Sequence, residues 1–205
     1  MGAASQKKSL IAQERDEATR SAWRTVMSEI DPSRLVFLDE TSTPTTLTRL
    51  QARALPGQRA VGRIPRGRRE AISWLATLTP TGIGESLLVR GAVDRLVFEA
   101  FVERVLVPSL RPGQIVVLDN LSVHKSARAR TLIEAAGGHL VFLPTYSPDF
   151  NPIEPAFAKA KQALRRARAR SFDTIVAAVG AALTSITPAD AHAFFANAGF
   201  PIAVQ

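Results

Sequence analysis

Three carboxylates, Asp39, Asp119 and Glu154, sit where their surroundings call for a chemical reason. Asp119 ends the apolar run Ile115-Val116-Val117-Leu118, and Asp39 ends Leu35-Val36-Phe37-Leu38. Short runs of this kind read as strands buried on both faces. An acid at such a strand end either opens a turn by bonding its own backbone or is a ligand delivered to the sheet edge, where functional side chains of open α/β sheets gather. Hard divalent cations take several carboxylate oxygens, so metal binding would require a third acid. Glu154, in Asn-Pro-Ile-Glu-Pro, is the candidate. It also fits a capping box, with Asn151 as N-cap and Pro152 at the first helical position. On a helical wheel Glu154 flanks the apolar stripe Ile153, Ala156, Phe157, Ala160, Ala163, Leu164 and Ala167, and shares that flank with Lys161, Arg165 and Arg168. The positions three and four residues on, Phe157 and Ala158, offer it no basic partner. An unpaired carboxylate beside a basic track suits a metal site that handles phosphodiesters.

The elements that would position these acids follow from periodicity. Residues 7–30 are rich in helix formers and mixed charge and read as a helical linker, with the domain proper over 31–205 opening at Asp31-Pro32. Residues 44–69, with three Pro and seven Arg, have no clear period and read as a long basic loop. Ile72, Trp74, Ala76 and Leu78 alternate with Ser73, Leu75 and Thr77, and Pro80-Thr81-Gly82 turns a hairpin that returns through Val89. A helix is expected over 94–107, stopped by Pro108, with Glu99 pairing Arg95 along it. The strand before Asp119, a helix over 126–136, a strand over 139–143, a long helix from near Asn151 and two more over 172–184 and 189–197 complete the chain. This order makes a mixed α/β sheet flanked by helices.

Composition narrows the chemistry and the partners. There is no cysteine and there are three His, which excludes disulfides and thiolate metal sites and leaves oxygen or imidazole ligands. No uncharged apolar run approaches a membrane span and the N-terminus lacks a signal core, so the expected place is the cytoplasm, with no membrane partner. The net charge is +8, clustered at Arg59, Arg63, Arg66, Arg68 and Arg69 and again from Lys159 to Arg170, which points to a polyanion such as nucleic acid. Lys125 is placed to contact phosphate; Asn120 and His124 either support the acids or touch DNA, or are simply a turn-forming Asn and a surface His. Asp31, Asp94, Glu103 and Asp149 are expected to do structural work, and Trp74 to lie in the core.

Phe-Leu-Asp-Glu-Thr at 37–41, Val-Leu-Asp-Asn-Leu-Ser-Val-His-Lys at 117–125 and the block Leu143 to Lys161, with its Tyr-Ser-Pro-Asp-Phe-Asn-Pro-Ile-Glu core, resemble the three motif blocks of DDE transposases. The likeness is to the bacterial insertion-sequence 630 group, related to mariner-like elements, and it runs from about residue 33 to 200. The 34 residues between Asp119 and Glu154 match that pattern. The resemblance implies a ribonuclease H-like fold and makes Asp39, Asp119 and Glu154 a catalytic triad holding two Mg²⁺ ions, with Mn²⁺ able to substitute, roughly 4 Å apart. It further implies DNA cleavage and strand transfer during transposition, DNA contacts from Arg66, Arg68, Arg69, Lys125, Lys161, Arg165 and Arg168, and a homo-oligomeric active complex. The roughly thirty residues ahead of the domain are too few for the family's helix-turn-helix, which would act in cis or in trans. A ribonuclease H-like nuclease or resolvase without strand transfer, or an inactive DNA-binding remnant, would carry the same features.

Overall fold

The computed structural model describes residues 12–48, 52–62 and 70–202. Its centre is a five-stranded sheet: β1 (Leu35–Pro44), β2 (Ala71–Thr79), β3 (Gly82–Arg90), β4 (Ile115–Leu118) and β5 (His139–Phe142), in the order β3-β2-β1-β4-β5. The first three form an antiparallel meander, and β4 and β5 add parallel to β1. The sheet is therefore mixed, as the alternation of elements requires. The hairpin turns as expected, with Gly82 at φ +125°, a conformation open to glycine.

β1 departs from the expected strand in one respect that matters. It does not stop at Asp39 but runs on to Pro44, because β2 pairs with it antiparallel from Phe37↔Leu78 to Pro44↔Ala71. What stops near Asp39 is the parallel pairing with β4, which ends at Phe37↔Val117. Carried two residues further on each chain, that register sets Asp39 beside Asp119. The apolar run ends at the acid; the hydrogen-bonded strand does not.

Helices cover both faces. On one lie α1 (Glu17–Ser28), α4 (Ile153–Ala167), α5 (Phe172–Thr184) and α6 (Pro188–Asn197), whose buried residues join Leu35, Phe37, Trp74 and Val117 in one core. On the other, α2 (Arg95–Phe101) and α3 (Ala127–Ala135) pack on Val36, Leu38, Leu75, Val116 and Leu118. Strands buried on both sides account for the unbroken apolar runs. The helix expected over 94–107 is α-helical only to Phe101. It then widens into a π turn over Val102–Leu106 and tightens into a 3₁₀ turn over Val107–Ser109. Pro108 has no N–H for the carbonyl four residues back and its ring crowds that carbonyl, so the ladder changes pitch before it. Glu99 does not pair with Arg95; it accepts the Ser126 hydroxyl at 2.5 Å, across to the N-cap of α3. Among the described residues no single helix is long and apolar enough to cross a membrane.

Helix α1 is fastened to the loop before α4. Met27 is buried in the core, and Trp23 stacks on Phe150 at 5.4 Å and donates its indole N–H to the Phe142 carbonyl at 3.0 Å. Arg20, only 3% exposed, grips Asp149 with both terminal nitrogens at 3.0 and 2.6 Å, its guanidinium 4.0 Å from the Phe150 ring centre. Asp149 therefore shapes the loop through a partner on another element. Removing the guanidinium unmakes a two-pronged, charge-assisted contact, so Arg20→Ala should cost about 2 kcal/mol of stability, measured by urea unfolding. Amide hydrogen exchange should rise first in residues 144–150.

Candidate active site

The C-terminal end of β4 and the midpoint of β1 open into a cleft of about 340 Å³, walled on its far side by the loop Leu143 to Asn151 and the first turn of α4. Asp39, Asp119 and Glu154 all line it, together with Asn120, Leu121 and Tyr146. Three acids more than thirty residues apart in sequence thus share one concavity, each brought by a different element.

Each acid is held differently. Asp39 is 5% exposed; its Oδ1 accepts the Glu40 amide at 2.7 Å and its Oδ2 accepts the Asn151 side-chain amide at 2.8 Å. Asn151 is buried, and its other end accepts weakly from the Ile153 amide at 3.4 Å. Asn151 therefore spends its strongest donor on Asp39. Glu154 has no part in a capping box: α4 begins with no side-chain cap, and Glu154 stands exposed at its first turn. The capping explanation of this acid does not hold.

Asp119 is held by an arrangement whose far end the sequence does not reveal. Its Oδ1 accepts the Leu121 amide at 3.0 Å and the Nδ1 of His124 at 2.5 Å. The other ring nitrogen of His124 bonds Glu40 Oε2 at 2.6 Å. His124 is fully buried, with its ring 4.9 Å from that of Phe98. Burial alone would lower its pKa, but the bonds to Asp119 and Glu40 outweigh it and raise the imidazole to about 9. At neutral pH it is a cation donating from both nitrogens. Glu40 follows Asp39 on β1, so adjacent acids point to opposite faces of the strand, one into the cleft and one to His124. Only strand alternation hinted at Glu40, which as a bare acid beside Asp39 gave no sign of its partner. Asn120 donates to the Leu143 carbonyl at 2.6 Å and ties the turn after β4 to the far wall.

The carboxylates repel one another. The Asp39 carboxyl is pushed up to about 7, first by burial and then by Asp119, with Glu154 adding to it. An all-oxygen donor set under mutual repulsion fits a hard divalent cation in kind. Among the described residues, no three His or acidic side chains converge closely enough to enclose an ion as they stand.

Of the basic candidates, Lys161 and Arg165 are half-buried on α4, Arg168 is exposed at its left-handed C-cap, and Lys125 is exposed beside His124. Burial lowers the Lys161 pKa, and Glu154 opposes that lowering, which places the ammonium within the field of that acid. Lys159 instead ties α4 to Asp190 on α6 at 2.5 Å, and Arg170 donates to the Thr45 and Leu47 carbonyls at 3.4 and 2.8 Å. Arg66, Arg68 and Arg69 lie outside the described residues. Trp74 is buried and stacked on Phe157.

A fold of this kind with acids at this place belongs to a known class. Residues 34–176, well over half of the chain, match the family described as DDE superfamily endonuclease, and the chain belongs to that family. Its mixed sheet flanked by helices is the ribonuclease H-like fold. Among solved structures it is similar to the Mos1 mariner paired-end complex with Mn, at 16% identity and TM-score 0.75, and to the Mos1 strand transfer complex, at 18% and 0.74. Both matches cover 97% of this chain and 64% of the other, so the chain spans about two thirds of their length. The crystal structure of the catalytic domain of Mos1 mariner transposase matches over 95% of this chain and all of that one, at 14% identity and TM-score 0.59. No curated protein sequence matches.

The electrostatics set a pH dependence. A carboxyl raised from 3.8 to about 7 destabilises the folded state progressively as pH climbs through that window, because the unfolded chain gives up its proton first. An imidazole raised from 6.5 to about 9 contributes stability that is complete below 6.5 and lost as pH rises through 9. Without divalent cations, stability in urea should therefore fall steadily from about pH 5 to pH 9. Glu154→Gln removes one repelling charge and no hydrogen bond, so its melting temperature at pH 8 should equal or exceed that of the wild type. A marked loss would restore the capping role.

Proposed function

We propose that this chain is the catalytic domain of a DDE transposase of the insertion-sequence 630 group, and that it cuts DNA and joins the freed 3′ end to a target. The observation that carries the proposal is the meeting of Asp39, Asp119 and Glu154 in one cleft, close enough that the last two raise the pKa of the first. Membership of the DDE endonuclease family supports it, as do solved relatives described as paired-end and strand-transfer complexes and as complexes with Mg or Mn.

In this reading the three acids are the ligands of two Mg²⁺ ions, with Mn²⁺ as a substitute. Bound there, such ions supply the charge stabilisation that in-line displacement at phosphorus demands. The chain's own residues do the positioning. Asn151 and the Glu40 amide fix both oxygens of Asp39. His124, itself fixed by Glu40, takes Oδ1 of Asp119 together with the Leu121 amide and leaves Oδ2 to the cleft. Lys161, Arg165, Arg168 and Lys125 line the approach for the phosphate backbone, and Arg66, Arg68 and Arg69 are further DNA contacts in this reading. Element ends are recognised by a helix-turn-helix module in cis or in trans. The active complex is a homo-oligomer, working in the bacterial cytoplasm.

Asp39→Asn, Asp119→Asn and Glu154→Gln should each abolish metal-dependent cleavage while circular dichroism stays native. His124→Ala should lower the rate or the apparent metal affinity about 10- to 100-fold, the usual cost of losing a group that orients a ligand. A strand-transfer assay with a pre-cut end separates a transposase from a simple nuclease, which would cut and never join.

The flanks of α4 should also separate. Lys161→Ala and Arg165→Ala should weaken duplex binding and flatten its salt dependence by about one unit of slope each, whereas Arg170→Ala should act on stability. Equal binding losses in a salt-series titration would mean that the basic track is only a diffuse field.

A further inference from the structure

Beside the acids, the cleft carries a feature that phosphate chemistry does not use. Tyr146 is held at φ +54°, in the left-handed region, and shares that distinction with only Arg168 among the described non-glycine residues. Arg168 ends a helix, where that conformation is common, but Tyr146 does not. It lies in the loop between β5 and α4, with Pro144 and Pro148 on either side and Ser147 buried after it. A left-handed backbone at a bulky residue is strained and persists where the surroundings impose it, commonly at ligand contacts. The aromatic side chain is not buried in return: Tyr146 is 51% exposed and lines the cleft that holds Asp39, Asp119 and Glu154. Leu121, two residues after Asp119 and 46% exposed, lines the same cleft.

We propose that Tyr146, with Leu121 beside it, forms a stacking subsite for the unpaired nucleobase next to the phosphodiester held at the three acids. This rests on the reading of the cleft as a DNA-cleaving site and adds to it a contact to the base. A phosphodiester in the cleft brings the sugars and bases on either side of it, and a base lifted from its stack needs a flat apolar partner. An exposed aromatic ring offers one irrespective of base identity. The subsite therefore favours a distorted or frayed strand over intact duplex without selecting a sequence.

The test uses the full chain and an oligonucleotide duplex with 2-aminopurine placed in turn at each position flanking the cleaved bond. Binding is followed by fluorescence, with Ca²⁺ in place of Mg²⁺ so that the strand stays intact. At one position the wild type should alter the fluorescence as the base leaves its stack for the ring. Tyr146→Phe should reproduce that change. Tyr146→Ala should lose it and bind roughly tenfold more weakly. Tyr146→Gly removes the ring and relieves the strain together, so it should melt higher than the wild type yet show the same binding defect. An abasic nucleotide at that position should weaken binding to the wild type and make no difference to Tyr146→Ala. Unchanged fluorescence and affinity in Tyr146→Ala would overturn the proposal, as would an abasic penalty that persists in that variant. A wild type that stacks the base through Tyr146 but never cleaves with Mg²⁺ or Mn²⁺ would uphold the subsite and refute the nuclease reading.

Discussion

The cleft depends on three rungs of parallel pairing between β1 and β4. That ladder is short, and its two strands diverge in length: β4 ends at Leu118, whereas β1 is carried on by β2 for seven residues past Phe37. Where the parallel ladder gives out, the chain after β4 is free to turn, and Asp119 begins that turn beside a strand that still runs straight. The backbone of Asp39 is therefore fixed by a strand and that of Asp119 by a turn. Glu154 comes from a third direction, at the start of a helix whose apolar stripe from Ile153 to Leu164 is buried under the sheet.

Bringing like charges together costs free energy, and the fold offsets the cost with directed donors. Asn151, His124 and the amides of Glu40 and Leu121 each aim a hydrogen at one named oxygen. His124 serves two carboxylates at once, one from β4's turn and one from β1, and it puts a buried positive charge between them. Bonds of this type set orientation as well as energy, since each fixes a named carboxylate oxygen in place. Packing of the His124 ring against Phe98 extends the support into the second core, under α2 and α3.

Much of this was legible in the residues. The apolar runs marked β1 and β4, alternation marked the β2–β3 hairpin, and the helices after residue 126 fall close to their expected bounds. Local patterns reveal what a segment buries but not what it meets. β1's extension beyond Asp39 depends on pairing with β2, whose register is not written in β1. The change of pitch after Phe101 arises from Pro108 acting on the turn before it, within an otherwise regular helical pattern. Glu99 and Glu40 look like ordinary surface acids, and only the tertiary fold supplies Ser126 to one and His124 to the other. Asn151 looked like a helix cap because such caps are local; its bond to Asp39 spans 112 residues.

That last separation is typical of the cleft. His124 reaches Glu40 across 84 residues, and Arg20 reaches Asp149 across 129. Contacts between segments so far apart close large loops, whose entropic cost falls due before the contacts repay it. The acids share one cleft only when both sheet halves and the loop before α4, which helix α1 fastens, are in place. A partly unfolded chain carries all three acids and the whole positive charge, without the geometry that brings the acids into one cleft.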